Sequence, residues 1–189
     1  LRAFLRQDPD VLMVGEIRDP ETAEIAIRAA QTGHLVMSTL HTNSASETLS
    51  RLLEMGIAPY NLATSLSLII AQRLVRRLCN QCKKPLHLPR NILIQEGFLI
   101  DQLKNYQLFA PAGCEACHSG YLGRIALIET VPITDTLSRV IMEDGNSIQI
   151  AEIARKAGFN TLRTSGLEKV AQGLTSLAEI NRITWSEKH

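Results

Sequence analysis

The sequence predicts an α/β fold that begins with two parallel strands. Residues 11–15 (VLMVG) and 34–40 (HLVMSTL) are short apolar runs with β-branched residues, typical of strands buried on both faces of a sheet. Residues 18–33 (RDPETAEIAIRAAQTG), which connect them, carry apolar residues at helical spacing. Strand, helix and strand in this order form a βαβ unit, so we expect parallel strands and a right-handed crossover.

The connecting helix has its own start and stop signals. Asp19 is a natural N-cap, and Pro20 suits the first helical position. Glu21 adds negative charge to the first turn, where the helix dipole favours it. Gly33 provides the stop. These signals therefore predict both ends of the helix.

Two more helices are expected next. Residues 44–56 (SASETLSRLLEMG) predict a helix that Ser44 or Ser46 caps and Gly56 ends. Residues 61–79 (NLATSLSLIIAQRLVRRLC) predict another, because their basic residues lie near the C-terminal end, where the helix dipole favours positive charge.

The second half of the chain differs in composition from the first. Residues 79–121 contain Pro, Gly and isolated apolar residues, which predicts a loop-rich insert. Residues 124–133 (RIALIETVPI) predict a strand that returns from it. Three short helices are expected after that strand, in residues 148–158, 161–173 and 175–184.

Composition excludes several classes of protein. Of the 189 residues, 45% are hydrophobic and 21% are charged, which is typical of a globular protein. A net charge of +1 and an aromatic content of 4% argue against a nucleic-acid partner. The best apolar run, residues 66–71 (LSLIIA), is interrupted by Gln72 and Arg73 and is too short for a membrane span. The first residues also lack the order of a secretory leader.

Polar side chains follow both predicted strands. Glu16 comes after the first strand, and the second ends at Thr39, His41 and Thr42. Open α/β sheets bind ligands at the carboxyl ends of their strands. A carboxylate there can orient a water for attack on a terminal phosphate, which imidazole and hydroxyl groups can contact. The alternative is that Glu16 is a solvated turn residue and His41 a capping or core histidine.

The four cysteines form two C-x-x-C pairs, Cys79 with Cys82 and Cys114 with Cys117. Each pair can direct two thiolates toward one point, and two pairs complete the tetrahedron of a structural zinc site. We therefore expect zinc and a reducing compartment, with His87 and His118 near enough in sequence to compete as ligands. The alternatives are a redox C-x-x-C or free buried thiols.

Longer motifs indicate a family. Residues 14–19 read VGEIRD and residues 32–43 read TGHLVMSTLHTN. They resemble the Walker B segment and the histidine box of the secretion ATPases of type II secretion and type IV pilus assembly. Residues 71–79 (AQRLVRRLC), the paired C-x-x-C motifs and residues 120–124 (GYLGR) continue the resemblance over essentially the whole chain. One departure is the segment CHSGY, which is a residue shorter than the usual family spacing.

The resemblance implies the C-terminal part of a RecA-like P-loop NTPase core, with a tetracysteine zinc insert and a small helical C-terminal region. Glu16 takes the catalytic role of the Walker B glutamate. His34 and His41 take the nucleotide-binding roles of the histidine box. Arg6 and Arg18 fall in matching positions, where we expect them to link neighbouring elements of the nucleotide site through ion pairs with Asp8, Asp10 or Asp19. Direct nucleotide binding is the alternative for both.

Three segments are expected from the same comparison. Residues 1–78 correspond to the C-terminal part of the ATPase core, with Walker B and the histidine box. Residues 79–123 form the tetracysteine insert, and residues 124–189 form the C-terminal strand and helical subdomain. The tetracysteine motif is typical of the assembly and secretion branch of the family, while the retraction branch lacks it.

By resemblance, the full-length protein is a hexameric cytoplasmic ATPase, peripheral at the inner membrane. It uses ATP and Mg²⁺ to drive type IV pilus assembly or type II secretion through an inner-membrane platform protein. This chain contains no Gly-Lys-Ser or Gly-Lys-Thr, so the phosphate loop G-x-x-x-x-G-K-[ST] is missing and we expect no appreciable ATP hydrolysis from the isolated chain. The alternatives are a stand-alone zinc-binding interaction module and an inactive fragment that joins a ring.

Overall fold

The computed structural model describes residues 7, 9–98, 107–143 and 147–184. The predicted α/β class is confirmed, because strands and helices alternate along the first part of the chain. The elements are β1 (Val11–Val14), α1 (Pro20–Gln31), β2 (Leu35–Ser38), α2 (Ala45–Glu54), α3 (Pro59–Ser65), β3 (Leu68–Leu78), β4 (Lys84–Leu86), α4 (Arg90–Gln95), β5 (Leu108–Ala110), β6 (Tyr121–Pro132), α5 (Asp135–Met142), α6 (Ser147–Lys156), α7 (Leu162–Ala171) and α8 (Leu177–Ile183).

The chain forms two compact units. The first unit consists of residues 1–71 and 130–159, and the second of residues 72–129 and 160–189. The three-segment division expected from the sequence stays a prediction. None of the helices in the described part of the chain has the length and apolarity needed to cross a lipid bilayer.

In the first unit, β1 and β2 pair in parallel, as the βαβ pattern predicts. Val11 lies opposite Leu35, and Val14 lies opposite Ser38. The carboxyl ends of the two strands are therefore neighbours, which is the arrangement that brings the side chains after them together.

Only one face of this two-stranded sheet is buried. Leu12 points inward and is 8% exposed, and α1 packs against β2. On the other face, Val11, Met13, Leu35 and Met37 are 47–65% exposed. The prediction of burial on both faces is wrong for the described residues, because a buried face needs an element packed over it and these four side chains are exposed.

The caps of α1 and α2 follow the predicted signals. Asp19 accepts a hydrogen bond from the Thr22 backbone N–H at 2.8 Å, and this bond holds the pKa of Asp19 below its ordinary value. Ser44, rather than Ser46, caps α2 by accepting from the Glu47 N–H at 3.2 Å. Gly33 has a φ of 98°, a conformation that a residue with a side chain rarely adopts.

The long helix expected over residues 61–79 is wrong. The helix ends at Ser65, Leu66 is extended with φ −80° and ψ 132°, and the chain continues as β3, which pairs with β6. The pattern in β3 has a period of two, with Ile69 and Val75 buried between exposed neighbours. Pairing with a distant strand supplies the backbone hydrogen bonds, so tertiary contacts override the helical pattern.

The core of the first unit lies among its helices. α3 packs against α1 and α5, and α2 packs against α6. The helix α5 was not expected from the sequence, although Thr134 caps it by accepting from the Leu137 N–H. Fully buried residues at the centre of this core are Ala23, Leu49, Leu62 and Leu137.

The second unit contains regular structure inside the segment expected to be loop-rich. β4 and β5 pair antiparallel, with Lys84 opposite Ala110 and Leu86 opposite Leu108. The helices α7 and α8 were expected, and they pack closely because Gly166 faces Ile180. A Cβ on this glycine would lie 2.9 Å from the Ile180 side chain.

A buried carboxylate joins α8 to β3. Glu179 is fully buried, and its oxygens accept from the Arg76 guanidinium at 2.6 Å and the Arg182 guanidinium at 2.8 Å. Arg76 also lies over the Tyr121 ring, 4.2 Å from the centroid. Burial acts to raise the pKa of Glu179, but the bonds from Arg182 and Arg76 outweigh it and lower the pKa to about 2.

Candidate functional site

The first candidate site lies at the adjacent carboxyl ends of β1 and β2, where Thr39 holds the segment around Glu16 at two points. The Ile17 N–H donates to the Thr39 carbonyl at 3.0 Å. The Thr39 hydroxyl donates to the Gly15 carbonyl at 2.6 Å. The backbone on both sides of Glu16 is therefore fixed to the neighbouring strand.

The carboxylate of Glu16 contacts two basic side chains. His41 Nε2 lies 2.8 Å from Glu16 Oε1, and Arg18 Nε donates to Glu16 Oε2 at 2.5 Å. The Glu16 side chain is only 19% exposed, whereas those of Arg18 and His41 are 76% and 87% exposed. The structure therefore brings together three of the predicted site residues, with the acid held inward and the basic groups facing solvent.

These residues line a cavity of about 210 Å³. Arg51, on α2, also lines it, and its guanidinium donates to Glu54 at 3.2 Å. The sequence patterns did not predict Arg51 as a site residue. The available signal was its position two helical turns after the Ser44 cap, since the helix that follows the histidine motif presents one face to the same strand ends. The full lining consists of Glu16, Ile17, Arg18, Leu40, His41, Arg51 and Met55.

The other two predicted nucleotide-binding residues are not part of this group. His34 precedes β2 and therefore lies at the opposite end of that strand from His41. Its Nδ1 contacts the Ala29 carbonyl at 2.9 Å and the Thr32 hydroxyl at 3.1 Å, which stabilises the turn between α1 and β2. Arg6 lies outside the described residues.

The second candidate site is formed by the four cysteines, whose Sγ atoms all lie within 4.8 Å of one another. Cys79 and Cys114 Sγ are 4.0 Å apart, Cys82 and Cys117 Sγ 3.7 Å, and Cys114 and Cys117 Sγ 3.6 Å. A tetrahedral ion with metal–sulfur bonds of about 2.3 Å needs sulfur–sulfur distances of about 3.8 Å. The thiols therefore fit a tetrahedral metal ion.

The thiols of the second pair differ in acidity. Burial acts to raise the pKa of Cys117, but hydrogen bonds from the Cys114 N–H and the neighbouring thiols outweigh it and lower the pKa to about 7. Cys114 accepts from the Ala116 N–H, which acts to lower its pKa, but bonding with the thiols of Cys117, Cys82 and Cys79 raises it to about 12. The lowered pKa of Cys117 makes its thiolate, the form that binds metals, easier to form.

A tight turn brings the second pair next to the first. His118 and Tyr121 exchange two backbone hydrogen bonds of 3.0 Å, and the two residues between them, Ser119 and Gly120, have φ of 51° and 86°. Positive φ at both positions is the pattern of a type I′ hairpin turn. A Cβ at Gly120 would lie 2.4 Å from Pro111 Cβ, so the turn requires glycine there. The short CHSGY spacing therefore forms a regular turn.

The first pair is anchored by the C-terminal part of the same unit. The Leu78 N–H donates to the Leu174 carbonyl at 2.8 Å. Lys83 Nζ donates to the Gly173 carbonyl at 2.9 Å and lies 4.6 Å from the centre of the Phe109 ring. Both ends of the first C-x-x-C segment thus contact the turn between α7 and α8. Within the described residues, the metal-ligating cluster comprises the four cysteines and neither His87 nor His118.

The sequence of the chain matches a known protein family over nearly its whole length. The family model for "Type II/IV secretion system protein" matches residues 1–182. The chain is 65% identical over 184 residues to the type IV pilus assembly ATPase PilB of Pseudomonas aeruginosa, covering 97% of this chain and 32% of that protein. It is 46% identical over 187 residues to the type II secretion system ATPase E of Vibrio cholerae, covering 97% of this chain and 36% of that protein. The chain thus spans about one third of the length of these curated relatives.

A solved structure is also similar. The pilus retraction motor PilT with bound ADP superimposes with a TM-score of 0.66 at 26% identity, covering 96% of this chain and 41% of that chain. The predicted fold class, part of a RecA-like ATPase core with four clustered cysteines, is confirmed by this likeness and by the cysteine geometry.

Proposed function

Because the chain belongs to the type II/IV secretion system protein family, we propose that it is part of an ATPase that couples ATP hydrolysis to type IV pilus assembly or type II secretion. The relatives named as pilus assembly and secretion ATPases support this function. The higher identity to the pilus assembly ATPase, 65% against 46%, favours pilus assembly.

The observation that carries the proposal is the contact of 2.8 Å between Glu16 and His41 at neighbouring strand ends. It supports a catalytic role for Glu16, whose carboxylate orients and polarises the attacking water. His41 contacts the terminal phosphate as its charge develops, and Arg18 and Arg51 provide positive charge in the same cavity. For His34 and Arg6, nucleotide binding rests on the resemblance alone.

ATP and Mg²⁺ are the ligands of the whole protein in this proposal. The groups that hold the phosphates and Mg²⁺ lie outside the chain, since no Gly-Lys-Ser or Gly-Lys-Thr occurs in it. Glu16 and His41 align the water and the terminal phosphate, and Mg²⁺, when bound, would neutralise phosphate charge. The isolated chain is accordingly inactive in hydrolysis.

The metal ion proposed for the four cysteines is zinc, with a structural role. Zinc prefers four thiolates in a tetrahedron, and four protein ligands leave no open position for catalysis. The ion would hold the start of the insert to its end, because one C-x-x-C follows β3 directly and the other precedes β6.

The assembly and location of the protein are proposed from the family. The whole protein forms a hexamer in the cytoplasm, peripheral at the inner membrane, and acts on a membrane platform protein. In this proposal the ATPase core comprises residues 1–78 and the metal-binding insert comprises residues 79–123. The C-terminal strand and helical subdomain comprise residues 124–189. Nucleic acid is not a partner, consistent with the net charge of +1.

A second candidate is a stand-alone zinc-binding interaction module, which the cysteine cluster favours. A third is a catalytically inactive fragment that joins a ring, since the chain itself lacks a phosphate loop. Both predict that Glu16 and His41 have no effect on ATP turnover, which separates them from the ATPase proposal.

The ATPase test uses the polypeptide as encoded, together with any residues that it has outside this chain. Glu16→Gln should lower kcat by about 10²–10³-fold while leaving ATP affinity similar, because it removes a transition-state role. Glu24→Gln is a matched control, since Glu24 is also an acid paired with an arginine but lies on α1 outside the cavity. Equal turnover in the two variants would contradict the proposal. Turnover by the isolated chain above its Glu16→Gln variant would contradict the expected inactivity.

The zinc assignment has its own measurement. Purified protein should contain about one equivalent of zinc by metal analysis, as a single closed tetrahedral site requires. Cys114→Ser should lower the zinc content, whereas His118→Ala should not, because the described cluster consists of thiols alone. Zinc content that is unchanged by Cys114→Ser would rule out the four-thiolate site.

A further inference from the structure

The loop that carries His41 connects β2 to α2 and is held at both ends. Thr39 holds its start to the end of β1, as described above. The first turn of α2 holds its other end through Glu47 and Thr48. His41 lies between these attachments, and its imidazole is 87% exposed. Glu16 is the side chain that contacts the ring, at 2.8 Å, and the position from which His41 makes this contact depends on the backbone of the loop.

Glu47 binds the residue two positions after the histidine. Glu47 Oε2 accepts the Asn43 backbone N–H at 2.5 Å, and Oε1 accepts the Asn43 side-chain amide at 3.3 Å. In a capping box, an acid at this helical position binds the N–H of the N-cap residue, which here is Ser44. Glu47 instead accepts from Asn43, which is one residue closer to His41. This contact is therefore not needed to cap α2.

Thr48 makes a second attachment. Its hydroxyl donates to the Ser44 carbonyl at 3.1 Å. Its oxygen lies 2.8 Å from the Thr42 hydroxyl, in a partly buried position. Since the single Thr48 proton is used on Ser44, Thr42 is the donor in that pair. The residue directly after His41 is thereby bonded to α2 through its side chain, and the next residue through its backbone.

We propose that Glu47 and Thr48 are positioning residues for His41. They fix the backbone of the loop to α2, so that the imidazole stays within reach of Glu16 and of a terminal phosphate in the cavity. This inference rests on the proposed ATPase function for its kinetic consequence, but the positioning of His41 by α2 can be measured separately. Neither residue contacts the cavity itself, because both are absent from its lining.

The kinetic test is a double-mutant cycle in the encoded polypeptide. Glu47→Ala should lower kcat for ATP about tenfold, the size expected for a small misplacement of one catalytic contact. In a His41→Gln background the same substitution should have no further effect, because it acts through His41. Glu47→Gln should restore most of the activity, since its amide oxygen still accepts the Asn43 N–H. Glu24→Ala is the matched control for loss of an exposed helical acid.

A structural role alone would give a different pattern. If Glu47 only stabilises α2, Glu47→Ala would lower the Tm but would reduce kcat by the same factor with and without His41, which would overturn the proposal. Thr48→Val removes the second attachment while keeping the side-chain shape, and it should reproduce the non-additive loss. An effect of both substitutions no larger than that of Glu24→Ala would also overturn it.

A spectroscopic measurement tests the geometry without catalysis. In the 189-residue chain, the ¹⁵N resonance of His41 Nε2 should shift in Glu16→Gln, because that substitution weakens the contact of 2.8 Å. Glu47→Ala should shift the same resonance in the same direction, and Glu24→Ala should leave it in place. If the encoded polypeptide has no ATPase activity, the proposed function fails, and this resonance still decides the role of Glu47. No response to Glu47→Ala would refute the role.

Discussion

At the residue scale, the most informative side chains are acids that lie inside the protein. Glu16 and Glu179 each contact two basic groups, but their surroundings differ. Glu16 binds groups that are more than three quarters exposed, so its partners can exchange with solvent or ligand. Glu179 is fully buried with Arg76 and Arg182, and its contacts join two elements of one unit. This difference supports the chemical role proposed for Glu16 and a stabilising role for Glu179.

Glu179→Gln should lower the free energy of unfolding by about 3 kcal/mol, because it leaves two guanidinium groups without their shared carboxylate. Arg76 and Arg182 are about half exposed, which lets water compensate part of the loss. Chemical denaturation at neutral pH measures the effect. Glu168→Gln, at an exposed position on α7, is the control and should change stability by less than about 0.5 kcal/mol.

The same carboxylate predicts a pH dependence. The pKa of Glu179 is lowered from 4.5 to about 2, so its contribution to stability is complete above the unfolded pKa and is lost as the pH falls from about 4.5 toward 2. Wild type should therefore lose more stability over this interval than Glu179→Gln does. Parallel pH profiles for the two proteins would contradict the assigned ion pair.

Sequence patterns predicted Glu16 and His41 because each follows an apolar run that ends a strand, and parallel pairing then brings strand ends together. Arg51 was missed because a basic residue on an amphipathic helix looks like a solvated surface group, and because Glu16 and Arg18, which also line the cavity, are distant from it in sequence. The motif that contains His34 indicates a functional site, but which of its residues reach that site depends on the direction of β2. The structure places His34 at the opposite end of β2 from His41.

At the element scale, the sequence patterns predicted the helices that have local capping signals. They failed for strands that form only by pairing with residues distant in sequence. The caps Asp19 and Ser44 are local, and both helices begin where predicted. Residues 61–79 contain residues compatible with a helix, and only pairing with β6 makes the second part a strand. The short strands β4 and β5 stabilise each other across a long insert, so neither has a signal of its own.

The hairpin turn after Cys117 contains a serine in an unfavourable backbone conformation. Ser119 has a φ of 51°, which is unfavourable for a residue with a side chain by about 1 kcal/mol. Ser119→Asn should raise the Tm slightly, because asparagine tolerates this conformation better. Gly120→Ala should lower it strongly, because its Cβ would collide with Pro111. Equal effects of the two substitutions in thermal unfolding would show that the turn has another conformation in solution.

At the scale of the whole molecule, the chain is a pair of units that are each discontinuous in sequence. The first unit combines residues 1–71 with residues 130–159, and the second combines residues 72–129 with residues 160–189. A linear reading of composition suggests consecutive segments, since it contains no information about which distant stretches pack together. This is the part of the architecture that local patterns leave undetermined.

The exposed face of β1 and β2 predicts the behaviour of the isolated chain. Met13→Lys should change its stability by less than about 0.5 kcal/mol, since the side chain is 65% exposed, and should reduce self-association. Leu12→Lys, one residue earlier on the buried face, should unfold the first unit. Denaturation and light scattering measure both. A large loss of stability from Met13→Lys would mean that the face is covered in solution.

The two-point attachment of Thr39 to the backbone around Glu16 has a mechanical consequence. It joins the ends of β1 and β2 into one piece, so tilting of either strand carries the acid along with its neighbour. A change in the distance from Glu16 to the exposed Arg18 head group then comes from side-chain torsions, whereas the distance to His41 also depends on the loop that follows Thr39. Such torsions in exposed residues take picoseconds to nanoseconds, whereas collective motions take microseconds or longer. Movement of the Arg18 head group at this edge of the sheet is therefore as fast as side-chain rotation.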